Sequence, residues 1–570
     1  MPSELSDRPV QDSPSRRWKR DAIANHIDEL RRLRNADFVS IRDFATTRGI
    51  PKSTLCDWLN REKNISAEDE AVAFFESPTG LQMLHAIVLA AHLVFSFLGH
   101  AGIRPITRFL HLAGLAPFLA TSYGTHQALA DAMTTQILAF EAEQRPILAA
   151  TMLPRRVTIC EDETFPKGAL CLVAREPVTG FLLSESFQEK RDAATWNAVL
   201  AKATEDLPVE IIQQTSDEAS ALLAHARHYG LHHSPDLFHI SQEINRATVL
   251  PLKRRTKAAQ VSLAEAEDEL RRHLVEEAAY RAGPRPRGHP PNFTQRIACA
   301  RSAEESARSA LTEAVSHQEA RHAAVLGLSS SYHPFDLDTG AARTASDVEV
   351  ALTAHFDALD TLADHASLSQ RSLTRLAKAR RQLPSMVSTV DFFWKEVDAR
   401  IGSAGWSVDV VGAFRRSWLP AAYLYRVSVR SGCAESRHKR SSVAAGLLSV
   451  ERSARGTISP LDADAKGFIE AEAWGCADVF QRSSSCVEGR NGTLALAEHA
   501  RRGLAERRLK ALTVVANYAL VNAERTTAAE RFFGQPHRDL FTWLLNTMPL
   551  PARPAKKRPK KVKQTLMEAA

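Results

Sequence analysis

Apolar residues recur at helical spacing along most of this chain, and one block of strand-like text interrupts them. Residues 1–17 carry no such pattern and predict a flexible arm. Residues 18–66 are short, charged and helical. They predict one helix over about 40–47, a turn at Gly49 and a second helix starting near 51–53. Ile41, Phe44, Ala45, Ile50, Leu55, Trp58 and Leu59 would close a small core. Residues 67–152 read as a helical domain. Its most apolar stretch, Leu81–Leu98, approaches the length of a membrane span but contains Gln82, His85 and His92. A buried helix is the expectation, with no membrane partner.

From 153 the period changes. VTICEDET (157–164), ALCLVARE (169–176) and GFLLSESF (180–187) are enriched in apolar and β-branched residues, with Pro166, Gly168 and the stretch from Pro177 to Gly180 as turns. A helix is predicted over 193–204, a strand at VEIIQQTSD (209–217), a helix over 218–229 and a short apolar return ending in PDLFHI. The order β-β-β-α-β-α-β is that of a ribonuclease-H-like core. Beyond 240 the strand signal stops. Residues 253–282 and 294–325 predict an antiparallel helical hairpin, followed by helices over 345–402, a mixed segment over 406–458 and helices again over 461–547. The expected fold class is mixed: a mainly α-helical chain with an α/β ribonuclease-H-like catalytic core interrupted by a large all-α insertion, plus an N-terminal helix-turn-helix. The expected domains are an arm (1–17), the helix-turn-helix (18–66), a helical domain (67–152), the first part of the core (153–240), the helical insertion (241–470), the last part of the core (471–550) and a basic disordered tail (551–570).

Composition narrows the class. With 44% hydrophobic and 24% charged residues over 570 positions, wholesale disorder is excluded. Seven scattered cysteines form no CxxC pair and suggest a reducing compartment. The net charge is +7, and Arg553, Lys556, Lys557, Arg558, Lys560, Lys561 and Lys563 crowd the tail, a tilt toward polyanions. Residues 1–20 are polar with prolines and predict no secretory signal. No GxSxG elbow and no GxxxxGK[ST] loop occurs, which argues against acyl hydrolysis and against a nucleotide cofactor. His225, His228, His232, His233 and His239 lack a nearby cysteine to complete a zinc site.

The candidate chemistry is carboxylate chemistry at strand ends. Asp162 lies in the first strand, flanked by Glu161 and Glu163, so strand register alone leaves the inward acid open. Asp217 ends the fourth segment, where an aspartate also serves as a helix cap. Two carboxylates side by side repel unless a divalent cation lies between them, and phosphoryl transfer uses such cations. Asp236 and His239 would hydrogen-bond and brace the site, with Asp236 as rival second acid. A third acid is needed from a helix, where Glu488 competes with Glu470, Glu472 and Glu498. In the N-terminal segment Lys52, Ser53, Thr54 and Arg61 sit where a recognition helix meets bases and phosphates.

The order of segments, with DETF around Asp162, SDEAS around Asp217, PDLFH carrying Asp236 and His239, and SSCVEGRNGTLALAEHARRG carrying Glu488, resembles DDE transposases of bacterial insertion sequences. Trp474 precedes Glu488 as a tryptophan does in several such families, and VNAERTTAAERFFGQPHRDLFTWLL resembles the closing segment of a subset of them. The resemblance implies that Asp162, Asp217 and Glu488 are the catalytic and metal-binding triad for two Mg²⁺ ions, with Mn²⁺ as a substitute. It implies supporting roles for Asp236, His239 and Trp474, and DNA contacts from Arg490 and Asn491. The partners implied are double-stranded DNA, as terminal inverted repeats and target, and a second copy of the chain on paired ends. The setting implied is the bacterial cytoplasm at the nucleoid. The alternative is a transposase-derived DNA-binding protein without catalytic activity.

Overall fold

The computed structural model describes residues 18–37, 39–284, 287–453, 455–501 and 503–554. The expected arm and residues 555–570 of the expected tail lie outside them. The protein is mainly helical, with one small mixed sheet among the described residues. It divides into two compact units, Met1–Met152 with Thr493–Ala570, and Leu153–Gly492. The expected last core segment, 471–550, is therefore divided. Its helices beyond Gly492 belong with the N-terminal unit, because their apolar faces meet partners there.

The first unit starts with α1 (Arg20–Asp37), α2 (Ile41–Thr47) and α3 (Lys52–Lys63). The Ser40 side chain accepts from the Asp43 amide at 3.1 Å and caps α2. The turn to α3 needs a left-handed residue, which Gly49 supplies at φ 63°. Phe44, Ala45, Ile50, Leu55 and Trp58 close a core with Ile27 and Leu30 of α1. A second core gathers Leu81, Leu84 and Val88 with Ile103, Ile106, Leu110 and Phe118. The segment Pro78–Leu98 is long and apolar enough to cross a membrane, and half of its most apolar window is buried inside the protein. Helix Tyr123–Thr151 carries Phe140, which meets the Tyr518 and Trp543 rings of the C-terminal helices edge-on at 5.5 and 5.9 Å.

The second unit holds the sheet: β1 (Arg155–Thr164), β2 (Leu170–Arg175), β3 (Leu182–Gln188), β4 (Val209–Ser216) and β5 (His232–Pro235). The order is β3-β2-β1-β4-β5. The first three strands form an antiparallel meander, while β4 and β5 run parallel to β1 after helical crossovers Ala193–Thr204 and Ser220–Tyr229. β1 is buried from Val157 to Glu161, as expected for a central strand covered on both faces. The expected apolar return is shorter than PDLFHI suggested. The strand stops at Pro235, and Asp236 caps a long helix, Leu237–Ala282, by accepting from the Phe238 amide at 2.8 Å. That helix pairs with Phe293–Ser331, so the hairpin is longer at its base than its charged portion predicted. The mixed segment is helical throughout its apolar part: AAYLYRVSV lies within Leu419–Val429. Its Tyr423 joins Phe335, Phe393 and Phe480 in an aromatic cluster at the centre of this unit.

Candidate active site

Strand register decides which acids can meet. Cys160 of β1 is level with Thr215 of β4. Asp162 and Asp217 each lie two residues beyond that pair, so both stand at the C-terminal ends of adjacent parallel strands. Ser216 is level with Pro235, which brings Asp236 to the same edge. Side chains alternate along β1. Glu161 points to one face, where it is buried with the His225 Nε2 atom 3.3 Å from its Oε1. Glu163 on that face pairs with Arg191 at 3.0 Å. Asp162 takes the other face, where Asn491 donates to its Oδ2 at 2.8 Å. Its Oδ1 accepts from the Glu163 amide at 2.8 Å. Asp217 accepts from the Ala219 amide at 3.0 Å, and the N-cap of the following helix is Ala219 itself.

The third acid comes from the helix Ser485–Arg501, with Glu488 in its first turn. Four links tie the start of this helix to the sheet. Arg175 donates to the Cys486 carbonyl at 2.7 Å. Arg490 forms a buried bidentate pair with Glu185 of β3 at 2.6 and 2.7 Å. Asn491 holds Asp162, and Ser484 donates its hydroxyl to Asp236 at 2.5 Å and its amide at 3.2 Å. Asp236 also binds His239 Nδ1 at 2.7 Å, which turns His239 Nε2 toward Glu488 Oε1 at 3.9 Å.

The charges follow from this packing. Burial, and after it the Glu488 charge, push the Asp162 carboxyl up to about 7, with Asp217 adding to the repulsion. The Asp236 bond raises the His239 imidazole above its ordinary range. Burial opposes ionisation of Asp236, but the bonds from His239, Ser484 and the Phe238 amide outweigh it and hold that carboxyl low. A cavity of about 220 Å³ opens beside Asp217, Asp236 and His239, with Lys378 on its wall.

The other expected site residues lie as follows. Arg490 is committed to Glu185 inside the protein and has no free guanidinium for a phosphate. Asn491 donates to Asp162. Trp474 lies among helices, stacked under Arg426 at 4.8 Å and edge-on to Tyr425. Lys52 and Ser53 are exposed at the start of α3, and Thr54 is half-buried. Arg61 is also half-buried, and burial, then Arg553, lower its pKa. Sequence reasoning missed Ser484 and Lys378. A serine in a loop and a lysine on a charged helix carry no local signal, and only the meeting of distant segments reveals them.

Among the described residues no group of three Asp, Glu, His or Cys side chains is placed to hold a metal ion. The residues at the sheet edge nonetheless suit a hard cation. Asp162, Asp217 and Glu488 lie near enough for the charges of the other two to raise the Asp162 carboxyl, and Asn491 Oδ1 is buried beside Asp162 with no partner among the described residues. Carboxylate and amide oxygens are the donors Mg²⁺ takes.

A family model described as a family of unknown function (DUF6399) matches residues 414–560. The matched segment includes Tyr423, Ser484, Glu488 and Asn491. No curated protein and no solved structure matches the chain.

Proposed function

We propose that this chain is a DNA transposase of an insertion sequence, working through Asp162, Asp217 and Glu488. On this reading the sheet with its crossovers is a ribonuclease-H-like core. The helices over 241–470 are an insertion in it, and α2, Gly49 and α3 are a helix-turn-helix for terminal inverted repeats. The observation that carries the reading is the sheet edge itself. Two acids at equivalent register on adjacent parallel strands share that edge with an acid from a helix pinned to the same sheet, close enough for its charge to raise the Asp162 carboxyl.

Asp162, Asp217 and Glu488 would hold divalent cations, Mg²⁺ or Mn²⁺. Bound there, such ions activate the attacking oxygen and stabilise the leaving oxygen of a phosphodiester. The protein's part is positioning. Asn491 fixes the orientation of Asp162, while Asp236 and Ser484 fix His239, whose imidazolium offsets part of the charge at Glu488. Water attack at the element's end releases a 3′-hydroxyl and a 5′-phosphate. That hydroxyl then attacks a target phosphodiester and frees a target 3′-hydroxyl. One phosphodiester replaces another, so no nucleotide is consumed. Joining two ends calls for at least two copies of the chain.

The test uses full-length protein and a DNA fragment carrying both flanks of its own gene, with Mg²⁺ or with EDTA. Breaks at the repeat ends are expected from wild type with Mg²⁺ only. Asp217→Asn and Glu488→Gln should lower cleavage by at least a thousandfold while DNA binding persists. Undiminished cleavage in either variant would overturn the assignment, and binding without breaks in wild type would favour a DNA-binding protein derived from a transposase.

A further inference from the structure

A second cavity in the Leu153–Gly492 unit has a composition that the acid site does not explain. It encloses about 430 Å³, within the range of small-ligand pockets. Arg426, Arg430, Arg440 and Arg482 line it together with His333 and Tyr423, and among the described residues no carboxylate does. Among the described residues, Arg426 is the one of the four guanidiniums with an ion-pair partner, Asp478 at 2.7 Å. Arg430 reaches the amide oxygen of Gln481 at 3.3 Å, and Arg440 reaches the Ser431 hydroxyl. Arg482 donates to the carbonyls of Ser329 and Tyr332 at 2.7 and 3.3 Å. Three guanidiniums thus line one space with neutral hydrogen-bond partners; Arg482 and Arg440 are half-buried and Arg430 is open to solvent, so the space is positively charged and an anion can enter it.

His333 adds a directed donor. It is 2% exposed, and its Nδ1 lies 2.5 Å from the Tyr423 hydroxyl. Tyrosine donating to Nδ1 leaves the proton of a neutral imidazole on Nε2. That nitrogen is buried and makes no hydrogen bond of good geometry among the described residues; a contact with the Ser329 backbone on the cavity wall favours the charged ring but does not outweigh burial. Burial, then the charges of Arg482 and Arg440, hold this histidine well below its ordinary pKa, so it stays neutral beside the cations.

We propose that this pocket is a phosphate-binding site, taking a tetrahedral phosphoryl oxyanion between Arg430, Arg440 and Arg482 with His333 Nε2 as a further donor. Arginine forks match phosphate oxygens, and the neutral histidine donates without adding charge. Position gives the site a consequence. The Arg482 carbonyl accepts from the Leu237 amide at 3.0 Å, and two residues later Ser484 holds Asp236. An anion bound to Arg482 therefore steadies the segment that leads into the helix carrying Glu488. The phosphoryl group belongs either to the DNA backbone or to a free phosphate. The inference concerns anion binding alone and stands apart from the transposase reading.

Calorimetry on the full-length chain in chloride buffer, titrated with inorganic phosphate at constant ionic strength, tests it. Wild type should bind one phosphate saturably. Arg430→Ala with Arg440→Ala should weaken that binding at least tenfold, with the helical circular-dichroism signal intact. Arg437→Ala, at an exposed position outside the pocket on the helix Ala434–Glu451 that carries Arg440, should bind as wild type does. If the double variant fails to fold, Arg430→Gln alone replaces it, since that side chain is exposed. The source is then read with a short duplex of arbitrary sequence. Displacement of phosphate by the duplex, with a salt slope about one unit smaller in the variant, assigns the pocket to backbone phosphate. Simultaneous binding of both assigns it to a free phosphate. Absence of saturable phosphate binding by wild type, or equal binding by the arginine variant, overturns the proposal. DNA cleavage is not the readout, so failure here is distinguishable from failure of the transposase reading.

Discussion

At Asp162, alternation along β1 and the helix packed on each face decide the role of three adjacent acids. Glu161 meets His225 and Glu163 meets Arg191, which leaves Asp162 to face Asn491 and Glu488. Asn491 makes one bond to this carboxylate and, among the described residues, none to another. Asn491→Ala should therefore lower cleavage by about 10- to 100-fold, the usual effect of losing a partner that orients a ligand, while DNA affinity measured by anisotropy changes little. A different residue governs acid stability. His232 stacks on Phe392 at 4.3 Å and bonds Thr389 at 3.1 Å; burial, and then His233, lower its pKa to about 4. The unfolded chain takes up a proton at this position below about 6.5 and the folded one does not until about 4. The stabilisation is thus complete above pH 6.5 and is lost as pH falls toward 4, amounting to at most about 3 kcal/mol. Urea unfolding at pH 7 and pH 4.5 should show a smaller loss for His232→Gln than for wild type. An equal loss would mean that His232 titrates normally in the folded state.

Single elements gain their roles from how their ends are held. The first turn of helix Ser485–Arg501 is exposed enough to present Glu488, yet it is anchored by Arg490 to a buried carboxylate of β3. Removing one member of a buried pair leaves the other uncompensated, which costs about 3–5 kcal/mol. Arg490→Met should lower the urea midpoint accordingly, and adding Glu185→Leu should recover most of the loss, since an apolar pair of similar volume replaces both charges. If Arg490→Met alone is neutral, the pair does not anchor the helix. The strands were legible as elements: the expected segments at 157–164, 169–176, 180–187 and 209–217 overlap the observed Arg155–Thr164, Leu170–Arg175, Leu182–Gln188 and Val209–Ser216. Period-two patterning and turn residues are local, so they survive without tertiary information. The misread return at LFHI shows the limit. Four apolar-rich residues suit either a strand or a helix, and the capping carboxylate of Asp236 decides for helix.

On the scale of the whole molecule, the chain leaves the N-terminal unit at Met152, builds the Leu153–Gly492 unit and returns at Thr493. Phe140 is fully buried, and the Tyr518 and Trp543 rings that cover it belong to the returning segment. A fragment of residues 18–152 should therefore aggregate or unfold non-cooperatively on heating. A fragment of residues 153–501, continuous and carrying its own aromatic core, should give a single sharp transition. A cooperative transition from 18–152 would show that the returning helices are dispensable.

The order of residue types along the chain was enough to predict a strand block within a helical protein, the small core beside Gly49, and acids at strand ends. Each depends on spacing within about ten residues, and spacing is written in the chain. Tertiary packing alone settled that Asp162 rather than its neighbours faces Asn491, that Arg490 is spent on Glu185, and that Ser484 reaches Asp236 across 248 positions. It also settled that four arginines, one of them paired with Asp478, line a single cavity. These depend on which distant segments meet, and a polar side chain's partner is chosen by burial and geometry that no local pattern records.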